Sequence, residues 1–121
     1  MAQIPFEFVL EALFTVNPRV KRMFGVQAVY VGEKIVLALK LSEQRAEDNG
    51  VWVSTTIEHH ESLKQEVPAL EAMRVHGIKS WLLLSHEADD FEESANQICE
   101  MIRSGDPRVG TIPKPKKKKS A

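Results

Sequence analysis

Hydrophobic residues near the start of the chain recur with the period of an α-helix. Those that lie three or four positions apart are Phe6, Val9, Leu10, Leu13 and Phe14. This spacing places them on one face of a helix that begins near Pro5 and ends at Asn17-Pro18. Few polar side chains remain on this helix, so we expect it to pack on two sides or to form a contact between two copies of the chain.

Farther along, hydrophobic and polar residues alternate, as is typical of β-strands. Residues 26–31 and 34–41 form two such segments, and residues 51–56 form a third that is rich in β-branched and aromatic side chains. Gly32 and Glu33 separate the first two segments, and glycine at the first position of a two-residue turn favours a tight hairpin. We therefore expect three consecutive strands in the first half of the chain.

The second half of the chain also mixes helices and strands. Residues 58–70 predict a helix that Pro68 breaks into two short pieces. Residues 73–75 and 79–84 are expected to pair as a second hairpin. The last helix begins in an acidic segment, which suits the positive end of the helix dipole, and ends where Gly105 can adopt the left-handed conformation.

The segments between these elements complete the predicted architecture. Residues 19–25 are expected to be a connector and residues 42–50 a solvated loop. The element order is then α-β-β-β-α-β-β-α, which predicts an α+β fold, a two-layer sandwich of helices on an antiparallel sheet. Residues 1–105 are expected to form this single domain, and residues 106–121 to be a linker and a disordered lysine-rich tail.

One short segment of the chain resembles a known family. The residues that carry the resemblance are Arg22-Met23-Phe24-Gly25, Tyr30 and the strand at residues 35–39. They are similar to the Met-Phe-Gly segment of the TfoX N-terminal domain, which is named after a bacterial competence regulator. In physical terms, Met23 and Phe24 are expected to fill the seam between sheet and helices, and Gly25 to let the chain turn into the next strand.

A later part of the chain resembles a second family with the same order of elements. The residues that carry this resemblance are Leu63, Pro68, Leu70, Lys79 and Trp81, followed by the acidic start of the last helix. This part is similar to the YjbR/MmcQ-like family, so the resemblance as a whole spans residues 4–104. It implies a small cytoplasmic bacterial domain that is of unknown function or associated with DNA, and it implies no active site.

Charge is divided unevenly along the chain. The net charge of −1 combines residues 1–110, which contain 11 Lys and Arg against 17 Asp and Glu, with residues 111–121, which contain five lysines and no acid. Such a tail can neutralise phosphates and bind nucleic acid without reading its sequence. The acidic body would repel nucleic acid unless its own basic residues cluster.

The candidate nucleic-acid-binding residues follow from this distribution. They are the tail lysines Lys114, Lys116, Lys117, Lys118 and Lys119, together with Arg19, Lys21 and Arg22 near the first strand. We expect these cations to make salt-dependent contacts with phosphates. The alternative is a tail that only keeps an acidic domain soluble.

No arrangement of side chains in the sequence predicts catalysis. His59 and His60 are adjacent, so on a helix they point about 100° apart and do not share the face that two metal ligands need. His86 precedes a helix start whose carboxylates serve first as caps. Cys99 lies beside the apolar stripe of the last helix and is expected to be buried and structural. We therefore expect no enzyme, no metal and no cofactor.

Three functional hypotheses are compatible with the sequence. The first is an interaction domain that binds nucleic acid or a protein partner, with the tail assisting by its charge. The second is a structural homodimer or a protein adaptor without a nucleic-acid role, suggested by the apolar first helix. The third is a small metal-assisted enzyme that uses His59, His60 or His86. The single cysteine and the short apolar segments further predict a cytoplasmic protein that contacts no membrane.

Overall fold

The described part of the chain folds into one antiparallel sheet and three helices. A computed structural model describes residues 5–23, 25–43, 48–73 and 80–112. The helices are α1 (Glu7–Ala12), α2 (His60–Glu66) and α3 (Phe91–Ser104), with 3₁₀ turns at Phe14–Val16 and Ile57–His59. The strands are β1 (Arg19–Met23), β2 (Val26–Val31), β3 (Lys34–Lys40), β4 (Gly50–Ser54), β5 (Leu70–Ala72) and β6 (Trp81–Ser85).

The six strands are ordered β1-β2-β3-β4-β6-β5, and every neighbouring pair is antiparallel. The predicted α+β class, with helices on an antiparallel sheet, is therefore confirmed. Strands β1 and β5 lie at the two edges, so each pairs with a described strand on one side only.

One face of the sheet packs against the helices and forms the core. Leu37, Val53 and Leu82 lie side by side across β3, β4 and β6, and all three are fully buried. Ile98 from α3 and Leu63 from α2 belong to the same buried cluster. The alternation that predicted the strands thus places one row of each strand under the helices.

An irregularity in the sheet adds a residue to this core. Val29 pairs with Leu37 but the next residue, Tyr30, pairs with Ile35, so Val36 is an extra residue on β3. Val36 and Leu37 are both buried in the core that the helices cover. A β-bulge of this kind turns two consecutive side chains toward one face and bends the strand.

The apolar character of the first helix is accounted for within a single chain. Val9 and Leu13 are fully buried, while Phe6 and Phe8 stack on Phe91 at ring-centroid distances of 5.1 and 5.9 Å. Among the apolar residues described there, Phe14 stands out as exposed. The helix packs on two sides as expected, so its composition no longer requires a second copy of the chain.

Three predictions of local structure are wrong. The loop at residues 42–50, predicted to be solvated, ends in the buried residues Asp48 and Asn49, and Gly50 begins β4. The segment predicted as a connector, residues 19–25, contains strand β1. Alternation of apolar and polar residues does not reveal this strand, because Val20 is its only apolar residue with a described core contact. The helix predicted over residues 58–70 ends at Glu66, and Leu70 begins the short edge strand β5. An edge strand tolerates polar residues because solvent reaches it on one side. Residues 74–79, which include part of the predicted second hairpin, lie outside the described residues.

Residues 106–112, here called the C-terminal arm, return to the sheet after α3. Thr111 pairs with Ile35 through two backbone hydrogen bonds of 2.9 and 3.0 Å. The Gly110 N–H donates to Ser54 O at 2.7 Å, just where β4 ends. The arm therefore takes the place beside β3 that β4 vacates, and the described part of the predicted linker is packed on the folded body.

Candidate nucleic-acid interface

The three cations that the sequence singled out in the body lie together on the edge strand β1. Arg19 pairs with Tyr30, and its guanidinium lies 5.5 Å from the centroid of that ring while donating to Gly32 O at 2.7 Å. Lys21 points to the same side of the sheet because it is two residues farther along the strand. Arg22 lies on the side of the helices, and all three side chains are exposed. Arg19 and Lys21 therefore share one face of the edge strand, and Arg22 lies on the other face.

Charge is separated between the two layers of the fold. The six strands carry five Lys and Arg and one acid, whereas the three helices and two 3₁₀ turns carry eight acids and two Lys and Arg. A recess of about 450 Å³ beside the start of α3 adds Asp89 and Asp90 to the acidic layer. Within these elements, the helices are thus negative in sum and the strands positive in sum.

The C-terminal arm reaches the end of the sheet where Arg19 lies. Arg19, Tyr30, Ile35 and Thr111 follow one another across β1, β2, β3 and the arm. Lys34, the first residue of β3, lies at the same end, and its side chain runs against Gly110. Sequence reasoning did not select Lys34, because its closeness to Arg19 arises only from the pairing of β2 with β3.

The other predicted residues are only partly placed. Gly25 has a φ of +80°, which suits the expected turn into β2. The backbone of Met23 belongs to β1. Phe24 and the five tail lysines lie outside the described residues, so their predicted roles stay predictions.

Two tryptophans add aromatic surface to the sheet face that carries Lys21. Lys21, Ala28, Ala38 and Trp52 lie in one row across four strands. Trp81 packs against Trp52 edge to face at 5.8 Å, and both side chains are half-buried. Sequence reasoning missed this pair, because residues 81–84 are all apolar and show no alternation that would assign Trp81 to a face. Cations and aromatic rings on one face are the two kinds of side chain that contact nucleic-acid backbones and bases.

A cluster of side-chain hydrogen bonds around Arg108 connects the C-terminal arm to α2. The Arg108 guanidinium donates to both carboxylate oxygens of Asp106, to Glu66 Oε1 at 2.7 Å and to Ser62 Oγ at 2.6 Å. The hydrogen bonds from Arg108 hold the pKa of Asp106 below its usual value, and the two carboxylates raise that of Arg108. Because Arg108 binds Asp106 in the arm and both Glu66 and Ser62 on α2, this cluster ties α2 to the arm.

The histidines and the cysteine form no reactive arrangement in the part of the chain described. His59 lies 3.7 Å from Glu58, and no group of three or more His, Cys, Asp or Glu within the described ranges is placed to hold a metal ion. Cys99 is fully buried, and burial raises the pKa of its thiol to about 11. A thiol of this kind is poorly suited to nucleophilic attack, because the thiolate is the reactive species.

Comparisons with family models, with curated proteins and with solved structures find no match to this chain. The resemblance to the TfoX N-terminal and YjbR-like families therefore stays a prediction from short motifs. None of the helices in the described ranges combines the length and the apolar character needed to cross a membrane.

Proposed function

We propose that this chain is a non-enzymatic interaction domain that binds nucleic acid through its phosphates, with the sheet side facing the ligand. The observation that carries this proposal is the separation of charge between the cationic strands and the acidic helices. The family resemblance is compatible with the proposal but is not needed for it.

The acidic helices do not prevent such binding. The two layers of a sandwich are about 10 Å apart, and the Debye length is about 10 Å at 0.1 M salt. A phosphate next to β1 therefore experiences the nearby cations more strongly than the carboxylates behind the sheet. The acidic side would orient the approaching protein so that its sheet faces the nucleic acid.

The side chains on β1 suit phosphate contacts rather than base recognition. Arg19 uses one guanidinium nitrogen for Gly32 O, and its remaining donors can bind a phosphate. Lys21 is an exposed point charge about 7 Å farther along the strand. Contacts of this kind position a protein on nucleic acid without reading its sequence.

The test is a pair of charge reversals that change the net charge equally. Lys21→Glu alters the sheet side, and Lys64→Glu alters an exposed position on α2 in the acidic layer. Binding to a 30-base-pair duplex DNA is measured by fluorescence anisotropy at 50 and 200 mM salt. We expect Lys21→Glu to weaken binding several-fold and to reduce the salt slope by about one unit, while Lys64→Glu changes the affinity less than two-fold.

Two outcomes would overturn the proposal. One is an absence of binding by the unaltered protein at 50 mM salt, which would favour the protein-adaptor alternative. The other is an equal loss in both variants, which would mean that only net charge matters. Sedimentation of the unaltered protein at micromolar concentration separates the homodimer hypothesis from both.

A further inference from the structure

We infer that this chain prefers single-stranded nucleic acid to a duplex, with unpaired bases stacking on Trp52 and Trp81 while Arg19 and Lys21 bind the phosphates. This inference rests on the proposed function and names the class of nucleic acid that it binds. These four side chains share the face of the sheet that points away from the helices, here called the outer face.

The aromatic residues of the described strands are confined to the outer face. They are Tyr30, Trp52 and Trp81. Residues that are paired across neighbouring strands share a face of a sheet, and so do residues two positions apart on one strand. Trp52 lies in the row of Lys21, and Tyr30 is paired with Arg19. Aromatic rings and cations therefore occur together on one face.

The two indole rings are held in fixed orientations. Their centroids are 5.8 Å apart in an edge-to-face arrangement, and the Trp52 indole N–H donates to the carbonyl oxygen of Asp48 at 2.8 Å. Both side chains are half-buried, so each is supported by its neighbours and still presents part of its surface to solvent. Because side chains held in this way have little rotational freedom to lose, stacking of a base on them costs little conformational entropy.

The distance between the tryptophans and the cations suits a short length of one strand. Lys21 and Trp52 are three strand spacings apart, or about 14 Å. At the 3.4 Å spacing of stacked nucleotides, this distance corresponds to about four nucleotides. Ala28 and Ala38 lie between them in the row and are fully buried, so the accessible surface there belongs to larger side chains. A strand that crosses the sheet can thus reach both the indoles and β1.

A duplex can use only the cationic part of this surface. Except at the ends of a duplex, the two faces of every base are covered by the neighbouring base pairs, so stacking on an indole requires a base to leave the helix. Unpaired bases stack on aromatic side chains whatever their sequence, because every base has a π-face. Arg19 and Lys21 therefore serve both forms of nucleic acid, whereas Trp52 and Trp81 favour the single strand.

The first test uses the fluorescence of tryptophan, because the chain contains two tryptophans and both belong to this pair. The emission therefore reports on the outer face alone. It is followed while a 15-nucleotide deoxyuridine strand, a 15-nucleotide uridine strand or a 15-base-pair DNA duplex is added at 50 mM salt. We expect one or both single strands to quench the emission and to bind at least five-fold more tightly than the duplex.

The second test uses substitutions that separate stacking from charge. Trp81→Leu keeps an apolar side chain but removes one ring, so the affinity for the single strand should fall about ten-fold and that for the duplex less than two-fold. Trp81→Phe keeps a ring and should recover most of the loss. Phe14→Leu is the matched control, because it removes an exposed aromatic ring outside the sheet, and it should bind as the unaltered protein does. Lys21→Glu should weaken the binding of both forms.

Failure of this inference is distinguishable from failure of the proposed function. If the duplex binds but neither single strand binds more tightly or quenches the emission, the inference is wrong and the proposed function stands. An equal loss for single strand and duplex in Trp81→Leu also overturns the inference, since a stacking ring would affect the single strand alone. If the unaltered protein binds neither form, the proposed function itself fails. Thermal unfolding checks that each variant is folded, and the fluorescence test needs no variant.

Discussion

Gly50 is the position where the sheet leaves least room for a side chain. It begins β4 between Lys40 of β3 and Ser85 of β6, and its φ is +144°. A Cβ atom there would overlap the carbonyl oxygen of Leu84 and lie 2.9 Å from the His86 nitrogen. Both of these are backbone atoms of the neighbouring chain segment, so a side-chain rotation cannot relieve the overlap.

The expected cost of Gly50→Ala has two parts. The backbone conformation at this φ costs a residue other than glycine about 1–3 kcal/mol. The overlap also forces β6 away from β4, which weakens the pairing there and the hydrogen bond from His86 N to Asn49 O, worth about 1 kcal/mol. A combined loss of about 2–4 kcal/mol corresponds to a fall of roughly 8–20 °C in the melting temperature of a domain of this size.

Gly32→Ala is the matched control because Gly32 also has a positive φ, +61°, but open space around it. The control should lose only about 1–2 kcal/mol, the cost of the left-handed conformation. Thermal and urea unfolding followed by circular dichroism measure both variants. Equal losses at the two positions would refute the argument, because they would show that the crowding between β4 and β6 has no energetic consequence.

Two further predictions concern groups whose pKa is shifted. Arg108→Ala should cost about 1–2 kcal/mol at pH 7, since both partners are partly exposed. The lowered pKa of Asp106 means that its ion pair stabilises the fold above pH 4 and is lost as the pH falls through the folded-state pKa. The difference in urea stability between Arg108→Ala and the unaltered protein should therefore shrink between pH 7 and pH 3, and a constant difference would contradict this. Cys99, with a pKa of about 11, should react with a disulfide reagent at pH 8 only as fast as the protein unfolds. Rapid labelling in native buffer would show that the thiol is accessible.

The sequence predicts elements well where one local pattern decides them. Strands β2, β3 and β4 are runs of apolar and β-branched residues bounded by turn residues, and α3 repeats apolar residues every three or four positions and ends at Gly105 with φ +80°. Strand β1 lacks such a pattern because its outward residues are cations and its outer edge has no described neighbour. Leu70–Ala72 is too short to carry any periodic signal.

The candidate site likewise has one part that the sequence predicts locally and another part that only the structure reveals. Arg19, Lys21 and Arg22 are close in sequence, so their clustering needs only local structure. The closeness of Lys34 and the arm to these residues depends on pairings between distant parts of the chain. Such long-range pairings leave no local trace in composition or periodicity, and the structure is needed to find them.

The pairing of Ile35 with Thr111 also determines where an expressed fragment of this protein can end. Their separation of 76 residues means that this pairing forms only after residue 111 has been synthesised. An expression product that stops at residue 105 would contain every described helix and strand but would leave the start of β3 and the carbonyl of Ser54 without these partners. Such an exposed edge invites aggregation. A product that stops at residue 112 keeps every described pairing of the sheet and lacks the lysine-rich residues 113–121, so it is a suitable fragment for structural and binding work.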